Sequence, residues 1–140
     1  MIAIPASVLG EIREHGREAY PEECCGALLG RNGEPPRVVR AERIENARPE
    51  ERARRYEVSP RDYLRVERLA LAENLALLGF YHSHPDHPAA PSRYDRDRAF
   101  PFFHYLVCAV AAGVPAEVTA WTLLEETGEF EREAILEETT

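Results

Sequence analysis

The chain of 140 residues contains no lysine, so all 17 of its basic residues are arginines, and it has only three cysteines. Two of these, Cys24 and Cys25, are adjacent, and Cys108 leaves the number odd, which is a poor basis for a disulfide framework. We therefore expect free thiols and a cytoplasmic location. No run approaches the ~20 apolar residues of a membrane span. The first five residues lack a basic start and end in proline, so we do not expect a signal peptide.

The charge balance narrows the choice of partners. The chain carries 25 acidic residues against its 17 arginines, for a net charge of −8. Non-specific binding to nucleic acid or to an anionic membrane needs a positive field, so we expect neither. With 44% hydrophobic residues and a length typical of one domain, residues 1–140 are predicted to form a single domain.

Hydrophobic periodicity and turn residues predict the order of helices and strands. We predict helices over residues 7–19, 60–74 and 93–99, which start at Ser7, Ser59 and Ser92. Strands are predicted over residues 24–29, 38–44, 55–58, 75–81, 104–111, 116–124 and 130–136. This order indicates an α/β (α+β) sandwich, in which a mixed central sheet is flanked by helices.

The residues with the clearest chemistry follow the predicted strand 75–81. His82 and His84 are two apart, so at the end of a strand they point to the same side. A stiff, proline-rich loop then leads to a helix start, and Asp95 lies one turn into that helix. Two histidines and one carboxylate leave a fourth position open, as in catalytic zinc sites. Zinc lowers the pKa of a bound water to about 7.

Hydrolysis also needs a proton-transfer group and a donor for the developing oxyanion. Ser92 lies in the same loop, and its hydroxyl is the candidate donor. The candidate acid/base is Glu23, because a carboxylate at the mouth of the buried strand 24–29 can reach a cleft.

Each of these residues also has an ordinary structural interpretation. Ser92 and Asp95 have the spacing of a capping box, which is compatible with a role for Asp95 as a ligand. Histidines at strand spacing are more often core or surface residues than ligands, and Glu23 beside Glu22 is typical of a solvated turn. The residues alone leave both interpretations open.

The spacing His82-x-His84, seven residues, Ser92, two residues, Asp95 resembles the motif of the JAMM (MPN-positive) metalloproteases without a gap. The segment from Tyr20 to Gly30 resembles the helix-to-strand junction that carries the family's catalytic glutamate, and this alignment selects Glu23 rather than Glu22. Asn46 and the stretch Tyr56-Glu57-Val58-Ser59-Pro60 are similar to the linking region of small bacterial members. The resemblance covers residues 1–125.

The resemblance implies a cytidine-deaminase-like fold and one Zn²⁺ per chain, held by His82, His84 and Asp95. It also implies hydrolysis of an amide or isopeptide bond after the C-terminal glycine of a ubiquitin-like protein. Small bacterial relatives act on sulfur carriers of the ThiS/MoaD type, so we expect a carrier with a Gly-Gly tail as partner. We further expect that tail to pair with a sheet edge near the site.

Other functions are less well supported. The His-x-Glu and Pro-Cys-x-x-Cys signature of zinc deaminases is absent, as is a His-Glu-x-x-His helix. Cys24 and Cys25 fit a buried strand better than a nucleophile, and alternation places only Cys25 on the side of Glu23. His87 is interpreted as a surface residue. The alternative from another class is an MPN-type scaffold or interaction domain, with or without zinc, that has no turnover.

Overall fold

The backbone forms one mixed sheet of eight strands with three helices, described for residues 1–139 in a computed structural model. The strands are β1 (Ile2–Pro5), β2 (Cys25–Arg31), β3 (Arg37–Ile44), β4 (Ala76–Pro85), β5 (His104–Ala111), β6 (Val114–Leu123), β7 (Phe130–Glu133) and β8 (Ile135–Glu138). The helices are α1 (Ala6–Ala19), α2 (Pro60–Ala72) and α3 (Arg93–Arg98). No helix in this part of the chain is long and apolar enough to cross a membrane.

Strand β4 lies in the middle of the sheet. The strand order is β7-β6-β5-β4-β2-β3-β1-β8, and β4 pairs antiparallel with β2 and parallel with β5. Every residue of β4 from Leu78 to Pro85 is buried, as expected for a strand covered on both faces. At Gly79 a Cβ would lie 1.7 Å from the carbonyl oxygen of His104, so only glycine allows β4 and β5 to approach this closely.

The two helices α1 and α2 cover opposite faces of the sheet. The α1 face buries Val8, Leu9 and Ile12 against a cluster that includes Cys24, Leu28, Tyr81 and Leu106. The α2 face buries Val66 and Ala70 against a cluster that includes Cys25, Ala27, Leu29 and Phe80. Successive side chains of β2 and β4 therefore pack into different clusters, as strand alternation requires. The predicted separation of Cys24 from Cys25 is confirmed, and all three thiols are free.

The start of the chain differs from the prediction. Residues Ile2–Pro5 form β1, a strand too short and too close to a helix to show alternation in sequence. Helix α1 begins directly after it at Ala6, with Pro5 as the capping residue, so the prediction of Ser7 as N-cap is wrong. The predicted cap of α2 is confirmed, because the Ser59 side chain accepts a hydrogen bond from the Asp62 amide.

Two predicted strands also need correction. Residues 55–58 lie outside every strand, in the connection that leads to α2. The predicted strand 130–136 is two strands, which separate at Ala134: β7 pairs with β6, whereas β8 pairs with β1 at the other edge of the sheet. A mixed sheet with helices on both faces is otherwise the architecture expected from the sequence.

Candidate active site

The end of β4 places two imidazoles on the α2 face of the sheet. Cys25 of β2 lies opposite His82, and the pairing continues by one residue because the Ser83 amide donates to the Cys24 carbonyl (3.1 Å). The Cys24 amide in turn donates to the Ser83 hydroxyl (2.8 Å). This register brings Glu23, which precedes β2, to the same end of the sheet. Nitrogens of His82 and His84 and an oxygen of Glu23 all lie within 4.8 Å of one another.

Helix α3 supplies a second carboxylate to the same point. The Ser92 side chain accepts from the Asp95 amide (3.1 Å), and the Ser92 amide donates to Asp95 Oδ2 (2.8 Å). This reciprocal pair is the capping box anticipated from the sequence, and it fixes the direction of the Asp95 side chain. The cap and the placement of Asp95 are therefore one structural feature.

Three potential ligand atoms form a nearly equilateral triangle. His82 Nε2 lies 3.1 Å from His84 Nε2, and each of these nitrogens lies 3.1 Å from Asp95 Oδ2. Tetrahedral ligands with bonds of about 2.0–2.1 Å are about 3.3 Å apart, so the triangle fits a zinc ion with little adjustment. His84 Nδ1 lies 3.0 Å from the Pro88 carbonyl, which can only accept. In the neutral ring this fixes the proton on Nδ1 and leaves the Nε2 lone pair for a metal.

The site also contains buried polar atoms without a partner. Glu23 is 3% exposed and His82 is 1% exposed. Neither Glu23 Oε1 nor His82 Nδ1 has a hydrogen-bond partner among residues 1–139. Native proteins rarely leave buried polar atoms unpaired, so an unsatisfied carboxylate oxygen beside three convergent ligand atoms is typical of a site that takes a further polar group.

The two carboxyl groups have opposite pKa shifts. Burial disfavours ionised Asp95, but the two histidines and the Ser92 amide outweigh it and hold the pKa of Asp95 well below its usual range. Burial raises the pKa of Glu23 to about 7, although His82 and His84 partly oppose the shift. A carboxyl group with a pKa near neutral can both accept and return a proton. Glu23 therefore has the properties of an acid/base, and Asp95 those of a permanent anion.

Asn46 and Tyr56 contact this site from the connection that precedes α2. The Tyr56 ring stacks on the His82 ring, with centroids 4.4 Å apart and planes at 21°. The Asn46 side chain donates to the carbonyls of Glu23 (3.2 Å) and Arg55 (3.0 Å), so it ties the connection to the start of β2. Both residues belong to the stretch with family resemblance, but nothing in the sequence assigns them these contacts.

Contacts from β6, from the end of α1 and from the β5–β6 turn hold the loop between β4 and α3, and the sequence reveals none of them. The Thr119 hydroxyl of β6 donates to the Ala89 carbonyl (2.5 Å) and accepts from the Trp121 indole N–H (2.7 Å). Asp86 accepts from the Tyr20 hydroxyl (2.6 Å) and from the Ala112 amide (2.7 Å). The loop residues and these partners lie far apart in sequence, so no local pattern indicates the contacts.

Two cavities open beside the site, and Tyr94 lines both. The first, of about 430 Å³, contains Glu23, His84 and Ser92, and its other lining residues are Arg54, Arg55, His87, Pro88, Ala90 and Arg93. We call it the arginine cleft. The second, of about 590 Å³, is lined by Asp95 and largely by aromatic and apolar side chains, namely Tyr56, Val58, Tyr63, Phe80, Ala99, Phe100 and Tyr105. We call it the aromatic pocket. His87 is exposed, as expected, but it lines the arginine cleft.

Neither adjacent cysteine has the properties of a nucleophile. Cys24 and Cys25 are 3% and 0% exposed. Burial raises the pKa of Cys24 to about 12 and that of Cys25 further still. Since the thiolate is the reactive form, their burial agrees with a packing role.

Comparison with known proteins identifies relatives of this chain. The family model described as prokaryotic homologs of the JAB domain (Prok-JAB) matches residues 5–124. The desampylase of Haloferax volcanii is 34% identical over 104 residues, which are 74% of this chain and 73% of that protein. A probable TtuB-protein conjugate cleaving protease of Thermus thermophilus is 34% identical over 95 residues, 68% of this chain and 61% of that protein.

Several solved structures share the fold of this chain. A protein from Salinibacter ruber is 43% identical with a TM-score of 0.76, covering 97% of this chain and 91% of that one. A protein from Desulfitobacterium hafniense is 27% identical with a TM-score of 0.86, covering 100% and 94%. A JAB1/MPN domain protein from Archaeoglobus fulgidus, 16% identical with a TM-score of 0.58 and covering 96% and 98%, shares the fold. The fold and the resemblance inferred from the motif are thus confirmed, and the chain belongs to the Prok-JAB family of JAB/MPN domains.

Proposed function

We propose that this protein is a zinc-dependent peptidase or isopeptidase that hydrolyses the bond after the C-terminal glycine of a ubiquitin-like or sulfur-carrier protein. The observation that carries the proposal is the triangle of His82 Nε2, His84 Nε2 and Asp95 Oδ2 with 3.1 Å edges, with the buried Glu23 beside it. The names of two relatives, a desampylase and a conjugate-cleaving protease, support conjugates of this kind as substrates.

In this proposal His82, His84 and Asp95 hold one zinc ion per chain. The ion supplies Lewis acidity and lowers the pKa of water. Tyr56, stacked on His82, and the Pro88 carbonyl, which accepts from His84, keep the two rings in place. Such outer contacts fix ring orientation and raise ligand basicity.

Glu23 is proposed as the acid/base. It takes a proton from the attacking water and returns it to the leaving amine, and its buried carboxylate has an oxygen, Oε1, that no described residue occupies. The Ser92 hydroxyl accepts from the Asp95 amide, so its own proton stays available for the oxyanion that develops on the carbonyl oxygen.

The carrier tail needs a route other than the one expected from the sequence. Strand β4 is paired on both sides, and the sheet edges are β7 and β8, so a tail cannot add to β4 as a further strand. The aromatic pocket, which shares Asp95 and Tyr94 with the site, offers an apolar alternative for the residues that precede the glycines. Glycines suit a narrow approach to the metal because they carry no side chain.

Zinc content and turnover test the two halves of the proposal separately. Protein purified without chelator should contain one zinc ion per chain by elemental analysis, and His84→Ala should lose most of it. Glu23→Gln should keep the zinc and lose turnover by about 10²–10⁴-fold, because the amide cannot exchange the proton. Glu22→Gln is the matched control, since Glu22 is exposed, and it should be nearly silent.

Turnover is measured by mass spectrometry on a carrier joined through Gly-Gly to cysteine or to a short peptide. Cleavage after the last glycine is expected, and cleavage at another position contradicts the assignment. Full zinc occupancy in His84→Ala contradicts the ligand set. Zinc-loaded protein that binds carriers and cleaves none of them would favour the alternative, an MPN-type interaction domain.

A further inference from the structure

The arginine cleft is basic in a protein whose overall charge is −8. Arg54, Arg55 and Arg93 line it, together with His87, and Glu23 is the sole acidic residue among its described lining residues. A concave surface of one charge sign focuses the electrostatic field and concentrates ligands of the opposite sign. The cleft is therefore suited to an anionic group.

Two of these arginines have no acidic partner among the residues that the structure describes. Most arginines elsewhere pair with a carboxylate, as Arg37 does with Glu138 (2.7 Å) and Arg65 with Glu42 (2.9 Å). Arg54 and Arg93 form no ion pair with any residue of the described range 1–139, and both are exposed. Their guanidinium groups are thus available to a ligand.

The third arginine of the cleft is held by an aromatic ring. The Arg55 guanidinium lies 4.5 Å from the centroid of the Tyr94 ring, and its ion pair with Glu51 is long (3.4 Å). Arg98 approaches the same ring at 4.6 Å. Tyr94 therefore places the guanidinium groups of Arg55 and Arg98 at the boundary between the two cavities.

The position of Glu23 decides which part of a substrate enters this cleft. Glu23 lines the arginine cleft and does not line the aromatic pocket. A general acid must reach the leaving amine, so the group released by cleavage lies on the side of Glu23. The basic surface thus faces the leaving group rather than the carrier tail; this step rests on the proposed function.

We propose that Arg54 and Arg93 form a carboxylate-binding site on the leaving-group side of the scissile bond. The planar guanidinium group binds a carboxylate with two parallel hydrogen bonds, which makes it selective for this anion. The carboxylate is either the free α-carboxylate of a single residue joined to the carrier or an acidic side chain of that residue. The protein is then selective for what is attached to the carrier as well as for the carrier.

Three substrates separate the two sources: one carrier ending in Gly-Gly-Ala with a free carboxylate, the same sequence as an amide, and Gly-Gly-Asp as an amide. For the zinc-loaded protein, kcat/KM should be about tenfold or more higher for free Ala than for its amide, as expected for a charge-assisted hydrogen bond. If the Asp amide equals free Ala, a side-chain carboxylate suffices. If it behaves like the Ala amide, the site requires the α-carboxylate.

Variants tie the preference to the proposed residues. Arg54→Gln or Arg93→Gln should reduce the acid-over-amide preference, with little change on the amide itself. Arg68→Gln is the matched control, since Arg68 is an exposed residue of α2 outside both cavities, and it should keep the full preference. Equal kcat/KM for all three substrates in the unmodified protein overturns the proposal, as does a loss in the arginine variants that is the same for substrates with and without the carboxylate.

The preference for a carboxylate can also be measured without turnover, from the binding of substrates to the Glu23→Gln variant. Calorimetry should show tighter binding of the substrate with free Ala than of its amide, by about tenfold. Equal affinities for free Ala, its amide and the Asp amide overturn the carboxylate site, as does undetectable binding of all three. A clear acid preference in binding with no cleavage of any substrate by the unmodified protein would instead overturn the proposed function and leave the anion site standing.

Discussion

Thr119 links the sheet to the loop that carries the site, and its hydroxyl can be removed with almost no change of shape by Thr119→Val. Thr119 is 2% exposed, donates to the Ala89 carbonyl at 2.5 Å and accepts from the Trp121 indole at 2.7 Å. Ala89 is itself 7% exposed. Valine would therefore leave a buried carbonyl without its donor, whereas the half-buried indole can reach solvent.

The expected loss follows from that one unsatisfied group. A buried acceptor deprived of its partner costs about 1–3 kcal/mol. For a chain of this size, a loss of that much unfolding free energy corresponds to a fall in melting temperature of about 3–12 °C. The loop also presents the Pro88 carbonyl to His84 Nδ1, so its loosening should weaken zinc affinity by about tenfold, the low end of the range for outer-shell contacts.

Two measurements separate these effects. Thermal unfolding of the metal-free protein gives the loss of stability. Competition with a chelator, below the melting temperature, gives the loss of zinc affinity. Thr119→Ser keeps the hydroxyl and loses only a methyl group, so it should restore zinc affinity and most of the stability. A Val variant that melts and binds zinc like the unmodified protein would show that the contact with Ala89 contributes nothing. Equal losses in Ser and Val would assign the effect to packing.

Three further outcomes are expected. Ser92→Ala should lower kcat by about 10²–10³-fold if the hydroxyl stabilises the oxyanion; a helix cap alone predicts about 1 kcal/mol less stability with normal turnover. The three buried thiols, with raised pKa values, should react with a thiol reagent at pH 8 only as fast as the protein opens, so immediate labelling in the absence of denaturant would be contradictory. Leu28→Ala, at a fully buried position, should cost about 2–5 kcal/mol in denaturant unfolding, whereas Leu71→Ala, at a position 78% exposed, should cost little.

Much of the fold is readable from local patterns. Serine and proline at positions 59 and 60 mark the start of α2, and the apolar run that leads into His82 marks β4. The alternation of β2 is enough to assign Cys24 and Cys25 to opposite faces of the sheet. By contrast, β1 and the separation of β7 from β8 depend on pairing between the two ends of the chain, for which a single sequence offers no signal.

The candidate site divides in the same way. His82 and His84 share a face because a strand has a period of two, and the spacing of Ser92 and Asp95 predicts the capping box. That His82, His84 and Asp95 bind one metal ion follows from neither rule and is a proposal that rests on the motif. Glu23 is selected by resemblance to a family, because no local rule connects it to histidines that lie far along the chain.

Only the tertiary structure decides what surrounds these residues. It stacks Tyr56 on His82, ties Ala89 to Thr119, and brings Arg54 and Arg93 to one cleft from segments that are distant in sequence. It also buries β4 between β2 and β5, which removes the sheet edge expected for the carrier tail. The physical reason is that periodicity and capping act over a few residues, whereas burial, charge clustering and the closure of a cleft depend on which strands become neighbours.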